Sequence, residues 1–498
     1  MSHQEGNSCS QETRTTKNIN LTIDGIPVSV PEGTKILDAA RKANADIPIL
    51  CDHPDLCKRA LCRICVVEAD GRGKLIAACA NDVWEGVKIV TRNKRIAKIR
   101  RTIIELILAK HPQDCLSCVR NKNCELQKLA LGYGVFKMPF KNEPVFWPQI
   151  TESDTMDHNM SKCIKCCRCV DACQEKQTIR AINTSYRSHK FRIATPYKQA
   201  LEETPCVFCG QCANVCPVGA IHEHDQTEEV QAAFSAGKKT IAQVYPALAS
   251  ALEKEFSLPA GTVTTGKMIA AIKLLGFDKV YNAADAVNAV NCDIIHEIQT
   301  KASADAKTKK MPVISGCSEG VSRFINNFYP ELAACLTAVK TPRKIFATLI
   351  KNNYAKEIIN AGELEKAILP ETDSANVLSV SFVPCIAQKY TTQKDKSDFA
   401  LTSRELAKMI KQAGVEIGNL AEAQFDTINI SCNTTNSLPK KLTVHGFAQA
   451  RKVMEEIIKG ECDADWVEIL SCLKDESRPA KNACLNGCAF ADSSCQAD

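Results

Sequence analysis

Hydrophobic and polar positions follow different periods along the chain, and each period predicts a different element. Apolar residues alternate between residues 18 and 30 around Asp24-Gly25, which predicts a β-hairpin with a tight turn. A helix is predicted to start at Thr34, and an amphipathic helix is predicted over residues 96–110, where Pro112 stops it. The apolar face of the second helix is predicted to comprise Ile96, Ile99, Ile103, Leu106 and Ile107.

The pattern changes beyond about residue 227, where helical stretches alternate with short apolar runs. Pro312–Ile314 and Val380–Val383 are two such runs, and a cysteine follows each of them within a few residues. This alternation predicts α/β lobes with cysteines at strand ends. The chain has 498 residues, enough for three or four domains of about 150 residues each.

Composition places the chain among globular proteins and narrows its chemistry. Hydrophobic residues make up 45% and charged residues 24%, whereas aromatic residues make up 5%, which disfavours a base-stacking nucleic-acid surface. Residues 1–17 are polar, do not form a signal peptide and are interpreted as a disordered tail. No run approaches the roughly 18 apolar residues of a membrane span. The chain is therefore expected in the cytoplasm, where 28 cysteines indicate metal binding more than disulfides.

The first group of cysteines lies directly after the predicted hairpin and helix. Its members are Cys51, Cys62, Cys65 and Cys79. Four thiolates from a loop and its flanks can bind a 2Fe–2S cluster, with a structural zinc ion as the alternative. The motifs His53–Leu56 and Cys62–Glu68 resemble the 2Fe–2S domain shared by complex I large subunits and iron-only (FeFe) hydrogenases. That resemblance implies a β-grasp ferredoxin domain, in which Cys57 is an additional thiol and not a ligand.

A second group follows the helix predicted over residues 96–110. Its members are His111, Cys115, Cys118 and Cys124. With Glu125–Gln127 after it, the group resembles the histidine-ligated 4Fe–4S site of the same two families. An imidazole in place of a thiolate makes such a cluster less negative and should shift its reduction potential.

Two further runs form an internal repeat with a spacing of 43 residues. The first run is Cys163, Cys166, Cys169 and Cys173, and the second is Cys206, Cys209, Cys212 and Cys216. This is the pattern of bacterial two-cluster ferredoxins, in which the fourth cysteine of each run serves the other cluster. The predicted 4Fe–4S ligand sets are therefore Cys163, Cys166, Cys169 and Cys216, and Cys206, Cys209, Cys212 and Cys173. Cys167 falls where such runs often have glycine and is predicted not to be a ligand.

The last 270 residues or so carry motifs of a different kind. Val244–Ala247, Thr265–Met268 and Leu275–Val280 resemble the catalytic domain of iron-only hydrogenases. In that family a 4Fe–4S cubane is joined through one cysteine to a diiron unit. The resemblance implies that the cubane ligands are Cys317, Cys385, Cys484 and Cys488. Cys472, at the end of Glu468–Cys472, is the alternative to Cys484.

Several residues depart from the family pattern at the diiron unit. Gly316 replaces the cysteine that passes protons to it, and Gln388 replaces the lysine that holds one of its cyanide ligands. The adjacent Lys389 is expected to point elsewhere. Asn482 replaces a methionine, the glycines after Cys488 are missing, and Ile294 occupies a place in the glutamate proton path. We therefore expect a retained cubane and a lost diiron unit.

The predicted architecture is α+β and α/β, with several domains. The predicted boundaries are 1–17 for the tail, 18–95 for the 2Fe–2S ferredoxin-like domain, 96–135 for the histidine–cysteine 4Fe–4S domain, 136–226 for the two-cluster ferredoxin-like domain and 227–498 for the hydrogenase-like domain. The predicted cofactors are one 2Fe–2S cluster, three 4Fe–4S clusters in the first half and one more in the last domain.

The predicted function is that of an iron–sulfur electron-transfer subunit in a larger oxidoreductase. By resemblance, the partners are an NAD(P)-linked flavin subunit, a formate dehydrogenase and ferredoxin. A catalytic or sensory iron-only hydrogenase with an altered site is the alternative. A scaffold whose clusters do no redox work is a third hypothesis.

Overall fold

The computed structural model describes residues 17–70, 75–137, 139–141, 153–304, 311–349, 377–391, 398–427 and 439–473. The predicted ligands Cys484 and Cys488 lie outside these residues, as does Asn482. Over the described ranges, no helix combines the length and apolar character needed to cross a bilayer.

The first domain is a mixed sheet of five strands packed against one helix. Its elements are β1 (Asn18–Ile23), β2 (Ile26–Pro31), α1 (Ile36–Lys42), β3 (Val66–Ala69), β4 (Leu75–Ala77) and β5 (Lys88–Val90). The strand order is β2-β1-β5-β3-β4, with β1 parallel to β5. The predicted hairpin is confirmed, because Asp24 and Gly25 have φ of 48° and 85°, as a type I′ turn requires. Helix α1 begins two residues after Thr34, since Lys35 remains extended and bridges to Asp82.

The amphipathic helix α2 (Lys94–Leu108) precedes α3 (Glu125–Gly132). Asn93 caps α2 by accepting a hydrogen bond from the Ile96 amide, so the helix begins two residues earlier than predicted. The predicted apolar face was partly wrong, because Leu106 is exposed whereas Ile104 and Arg100 are buried. Arg100 can occupy the face because its guanidinium donates to the Val66 carbonyl at 2.8 Å.

The ferredoxin-like segment is built from two related halves. Its elements are β6 (Met156–His158), α4 (Arg168–Asp171), β7 (Asn183–Ser185), β8 (Arg192–Ala194), α5 (Gln211–Asn214) and β9 (Ile221–Glu223). Strand β6 pairs with β9, and β7 with β8, both antiparallel. Each short helix begins inside one cysteine run, which places both runs in loops at helix starts.

Two parallel sheets organise the last part of the chain. The strands are β10 (Lys239–Val244), β11 (Lys279–Asn282), β12 (Val313–Gly316), β13 (Val377–Val383), β14 (Asp398–Thr402), β15 (Lys441–His445) and β16 (Trp466–Leu470). The helices are α6 (Thr227–Ser235), α7 (Leu248–Phe256), α8 (Thr265–Leu274), α9 (Ala283–Ala304), α10 (Glu319–Phe328), α11 (Ser403–Gln412) and α12 (Phe447–Lys459).

Their strand orders are β11-β10-β13-β14 in one sheet and β12-β16-β15 in the other. The pairings are parallel, and the strands are mostly buried, which explains the continuous apolar runs in the sequence. Cys317 follows β12, Cys385 follows β13 and Cys472 follows β16, so each cysteine lies just beyond the carboxyl end of a parallel strand. This is the edge at which open α/β sheets place their ligands.

Candidate metal centres

The first group of cysteines converges in the loops next to strand β3. The sulfurs of Cys65 and Cys79 lie 3.3 Å apart, and the amide of Cys62 donates to the Cys51 sulfur at 3.4 Å. Hydrogen bonds from the Cys62 and Cys79 thiols lower the pKa of Cys51. The structure therefore brings all four predicted ligands together. An array of four mutually interacting sulfurs fits the donor chemistry of a 2Fe–2S cluster.

The second group surrounds a cavity of about 310 Å³ between α2 and α3. His111, Cys115 and Cys124 line this cavity, whereas Cys118 lines the neighbouring one. Burial lowers the pKa of His111, which favours the neutral imidazole that ligates metals. A Cβ on Gly219 would come within 2.9 Å of the Cys118 sulfur, so only glycine leaves that sulfur its place. Three of the four predicted ligands share one cavity.

The two cysteine runs separate into two sets of sulfurs. One cavity is lined by Cys163, Cys166, Cys169 and Cys216. In the other set, burial followed by the charges of Cys209, Cys206 and Cys173 raises the pKa of Cys212, which places these four thiols side by side. Each set thus holds three cysteines of one run and the fourth of the other. Anionic thiolates this deeply buried need a compensating metal charge, which fits cluster binding.

Backbone geometry is repeated between the two runs. The Lys165 amide donates to Cys163 and the Phe208 amide to Cys206, both at 3.4 Å, and both donor residues are left-handed. Cys167, with φ of 64°, occupies the place that Gly210 occupies with φ of 72°. A left-handed position explains why glycine is common there, and Cys167 is not among the sulfurs that the cavity argument assigns.

In the hydrogenase-like domain, Cys317 and Cys472 follow adjacent strands of one sheet. Gly316 is paired with Ile469 across β12 and β16, so the two cysteines leave the sheet at the same edge. The Ser471 amide donates to the Cys317 sulfur at 3.3 Å. Of the two alternatives for the third ligand, Cys472 therefore lies beside Cys317, and Cys484 lies outside the described residues.

The space that a cysteine at position 316 would need is filled. A Cβ on Gly316 would lie 2.4 Å from the Cβ of Val321 in α10. Ile294 is buried between α9 and the strands β12 and β16. Both observations concern positions that carry proton-relay groups in the resembling family, and both show apolar packing there.

Gln388 and Lys389 behave in opposite ways. Lys389 is buried and donates to both Glu405 oxygens, at 2.7 and 2.8 Å, and to the His224 carbonyl, which confirms that it points elsewhere. Gln388 is only 4% exposed, and neither polar atom of its amide makes a hydrogen bond to any residue that the structure describes. An unsatisfied buried amide costs about 1–3 kcal/mol, so this one calls for a bound group.

Packing links the cysteine groups in one order. Cys62, Cys124, Cys163 and Cys216 pack around the same apolar cluster, which joins the first three sites. Cys173, Cys206 and Cys209 pack against a second cluster built from β12, α10 and β16. The ferredoxin-like segment therefore lies between the N-terminal cysteines and the Cys317 edge.

Some functional positions gave no signal in the sequence. Gln177, fully buried, donates to the Ser471 carbonyl at 2.8 Å and accepts from the Phe447 amide at 2.8 Å. It thereby fixes the segment after Cys173 to the end of strand β16. Its position four residues after a cysteine run was the only clue.

Comparison with known proteins assigns the family. Models for a 2Fe–2S iron–sulfur cluster binding domain and an NADH-ubiquinone oxidoreductase-G iron–sulfur binding region match residues 16–94 and 100–139. The ferredoxin-like domain of NADH-quinone oxidoreductase subunit 3 matches 153–222, and the C-terminal domain of the iron only hydrogenase large subunit matches 238–440. Binding domains for 2Fe–2S and 4Fe–4S clusters are thus indicated.

Two relatives extend over most of the chain. The NADP-reducing hydrogenase subunit HndD of Solidesulfovibrio fructosivorans is 33% identical over 82% of this chain and 71% of its own length. The chain belongs to the iron-only hydrogenase family. Iron hydrogenase 1 of Clostridium pasteurianum is 30% identical over 82% of this family member and 70% of its own length. The NADH-quinone oxidoreductase G 2 subunit of Rhizobium meliloti (strain 1021) is 34% identical over 41% of this family member and 24% of its own length.

Proposed function

We propose that the chain is an iron–sulfur electron-transfer subunit of a multisubunit oxidoreductase. The observation that carries this proposal is the row of sulfur groups connected by the two shared apolar clusters. Electrons would pass from the 2Fe–2S and histidine-ligated sites through the ferredoxin-like segment to the edge that holds Cys317. The proposed cofactors are one 2Fe–2S and four 4Fe–4S clusters, and the proposed location is the cytoplasm.

The proposed ligands of the first four clusters are those predicted from the sequence. For the cubane of the last domain we propose Cys317 and Cys385, completed by Cys472 or by Cys484 and Cys488. The buried amide of Gln388, one turn after Cys385, has no hydrogen-bond partner among the described residues, which supports a bound group at this edge.

We further propose that the diiron unit is absent. Val321 occupies the space of the proton-relay side chain, and Ile294 is packed among apolar residues. Neither position can transfer a proton, which hydrogen chemistry requires. The second candidate is a catalytic or sensory hydrogenase with an altered site. The relative named as an NADP-reducing hydrogenase subunit favours that alternative, because its similarity extends over 82% of the chain.

The proposed partners follow from the relatives. HndD is named as a subunit of an NADP-reducing hydrogenase, and the Rhizobium protein as a subunit of an NADH-quinone oxidoreductase. We propose an NAD(P)-linked flavin subunit that docks near residues 18–95, with ferredoxin or a formate dehydrogenase as further partners.

Cluster content and electron transfer test this proposal together. The reconstituted chain should bind about 18 iron atoms, from one 2Fe–2S and four 4Fe–4S clusters. In the complex purified from native cells, NAD(P)H should reduce these clusters only when the flavin subunit is present. Binding near 14 iron atoms would remove the cubane of the last domain from the proposal. Full iron content with no cluster reduced by any partner would favour the scaffold hypothesis.

A further inference from the structure

Arg168 lies where three groups of predicted ligands meet. It is the first residue of α4, directly before Cys169, and it is only 3% exposed. Its guanidinium donates to the Asp52 carbonyl at 2.7 Å and to the Glu125 carboxylate at 2.8 and 3.0 Å. A single side chain therefore joins three segments that are far apart in sequence.

Each of these contacts is next to a predicted ligand. Asp52 follows Cys51 of the 2Fe–2S group, and Glu125 follows Cys124 of the histidine-ligated group. Arg168 itself belongs to the first ferredoxin run. Displacement of its guanidinium would therefore disturb the spacing of three sites at once.

The charge of Arg168 is poorly screened from these sites. An arginine remains cationic at any pH a protein tolerates, and the buried Nε atom of Arg168 has no hydrogen-bond partner in the described part of the chain. Its carboxylate partner, Glu125, is 43% exposed and thus shares its charge with water. Because reduction adds negative charge to a cluster, a nearby buried cation stabilises the reduced form and raises the reduction potential.

We propose that Arg168 is a positioning residue that fixes the spacing of three clusters and raises their reduction potentials together. The proposal rests on the function proposed above, since it requires that these three sites bind clusters. It adds a structural reason for their behaviour as one electron-accepting unit. The fourth cluster, held by Cys206 and its set, lies beyond the residues to which Arg168 donates and should not respond.

The matched control is Arg59, which joins the same two domains. Its guanidinium donates to the Asp171 carboxylate at 2.7 and 2.9 Å, across the same interface. The side chain of Arg59 is 37% exposed, so water screens its charge. Arg59→Met therefore removes a comparable bridge without removing a buried cation.

The test is a redox titration of the reconstituted full-length chain, monitored by electron paramagnetic resonance. Arg168→Met should lower the midpoint potentials of the three clusters, leave the Cys206 cluster unchanged and weaken the magnetic coupling between neighbouring clusters. Arg168→Lys should keep the potentials close to wild type, because the charge remains, but should weaken the coupling, because the fork is lost. Arg59→Met should change neither.

The outcomes separate this inference from the proposed function. Wild-type chain that fails to bind iron at these sites would defeat the proposed function first. Wild-type chain with full iron content, combined with unshifted potentials in Arg168→Met, would overturn the role of Arg168 alone. An equal shift in Arg59→Met would overturn it as well. If Arg168→Met does not fold, Arg168→Lys still decides, because unchanged magnetic coupling in that variant contradicts the positioning role.

Discussion

At the scale of single residues, Gly316 is the position where the structure most restricts a change. We predict that Gly316→Cys destabilises the chain by about 1–3 kcal/mol, because its Cβ would overlap Val321. Val321→Ala in the same chain should recover part of that loss, since it removes the overlapping methyl groups. Urea unfolding of the two single variants and the double variant measures the coupling.

Gly132→Ala is the control for this prediction. Gly132 ends helix α3, has no positive φ, and a Cβ there would meet no described atom within 4 Å. The control should be neutral or stabilising by about 0.5–1 kcal/mol. A Gly316→Cys chain as stable as wild type would show that the relay position is open.

Two adjacent cysteines make a second test at this scale. Cys166 lines the cavity formed with Cys163, Cys169 and Cys216, whereas Cys167 is assigned to the glycine-like position. Cys166→Ala should lower the iron content by about four atoms per chain, and Cys167→Ala should leave it unchanged. Iron analysis after identical reconstitution measures both. Equal losses in the two variants would contradict the assignment.

At the scale of elements, the sequence was most informative where local rules decide. The hairpin of β1 and β2 was predictable, because alternation and Asp24-Gly25 fix both pairing and turn. The spacing of the cysteine runs predicted which sulfurs would come together. The face of α2 was not predictable, because the burial of Arg100 depends on the Val66 carbonyl, which belongs to a distant strand.

The same reason explains what was missed in the candidate sites. Gln177 acts through Ser471 and Phe447, almost 300 residues away, and no local pattern marks such a contact. Val321 reveals its role only because α10 packs over the end of β12. The position of Cys472 beside Cys317 likewise depends on the pairing of β12 with β16.

An ion pair between β9 and α11 makes the junction of two domains sensitive to acid. Burial alone would raise the pKa of Glu223, but Arg404 beside it lowers that pKa to about 2. The ionised carboxylate therefore stabilises the fold above the ordinary glutamate pKa of about 4.3, and this contribution is lost as the pH falls from about 4 towards 2. We predict that Glu223→Gln weakens the fold at pH 7 and reduces its further loss of stability between pH 4.5 and 3.

Urea midpoints across that pH range measure the effect. Asp463→Asn is the control, because Asp463 and its partner Lys440 are 90% and 64% exposed, so the pair contributes little. That control should follow the wild-type pH profile within about 0.5 kcal/mol. A Glu223→Gln profile parallel to wild type would contradict the assigned coupling.

At the scale of the whole molecule, charge and apolar exposure coincide on one segment. Residues 92–141 carry twelve Lys or Arg and three Asp or Glu, a net charge of +9, whereas the whole chain has +6. Leu116, between two predicted ligands, is 93% exposed, and Phe136, at the cavity of His111, is 79% exposed. Exposed apolar groups within a basic surface fit an acidic electron carrier of the ferredoxin class.

We predict that Lys128→Glu with Lys137→Glu slows electron exchange with an acidic ferredoxin by about tenfold or more at low salt, with less effect at high salt. Stopped-flow kinetics at two ionic strengths measure the change. Lys459→Glu, at the exposed end of α12, is the control and should react as wild type does. Equal rates in the double variant and the control would exclude this face as the docking surface.

The central claim is that this member of the iron-only hydrogenase family transfers electrons without a diiron unit. The most direct measurement is infrared spectroscopy of the wild-type chain after exposure to the maturation machinery or to a synthetic diiron precursor, with hydrogen evolution assayed on the same sample. We predict full iron–sulfur content, no CO or cyanide bands, and no hydrogen evolution above that of the chain before exposure. CO and cyanide bands together with sustained hydrogen evolution would contradict the claim and establish the chain as a catalytic hydrogenase.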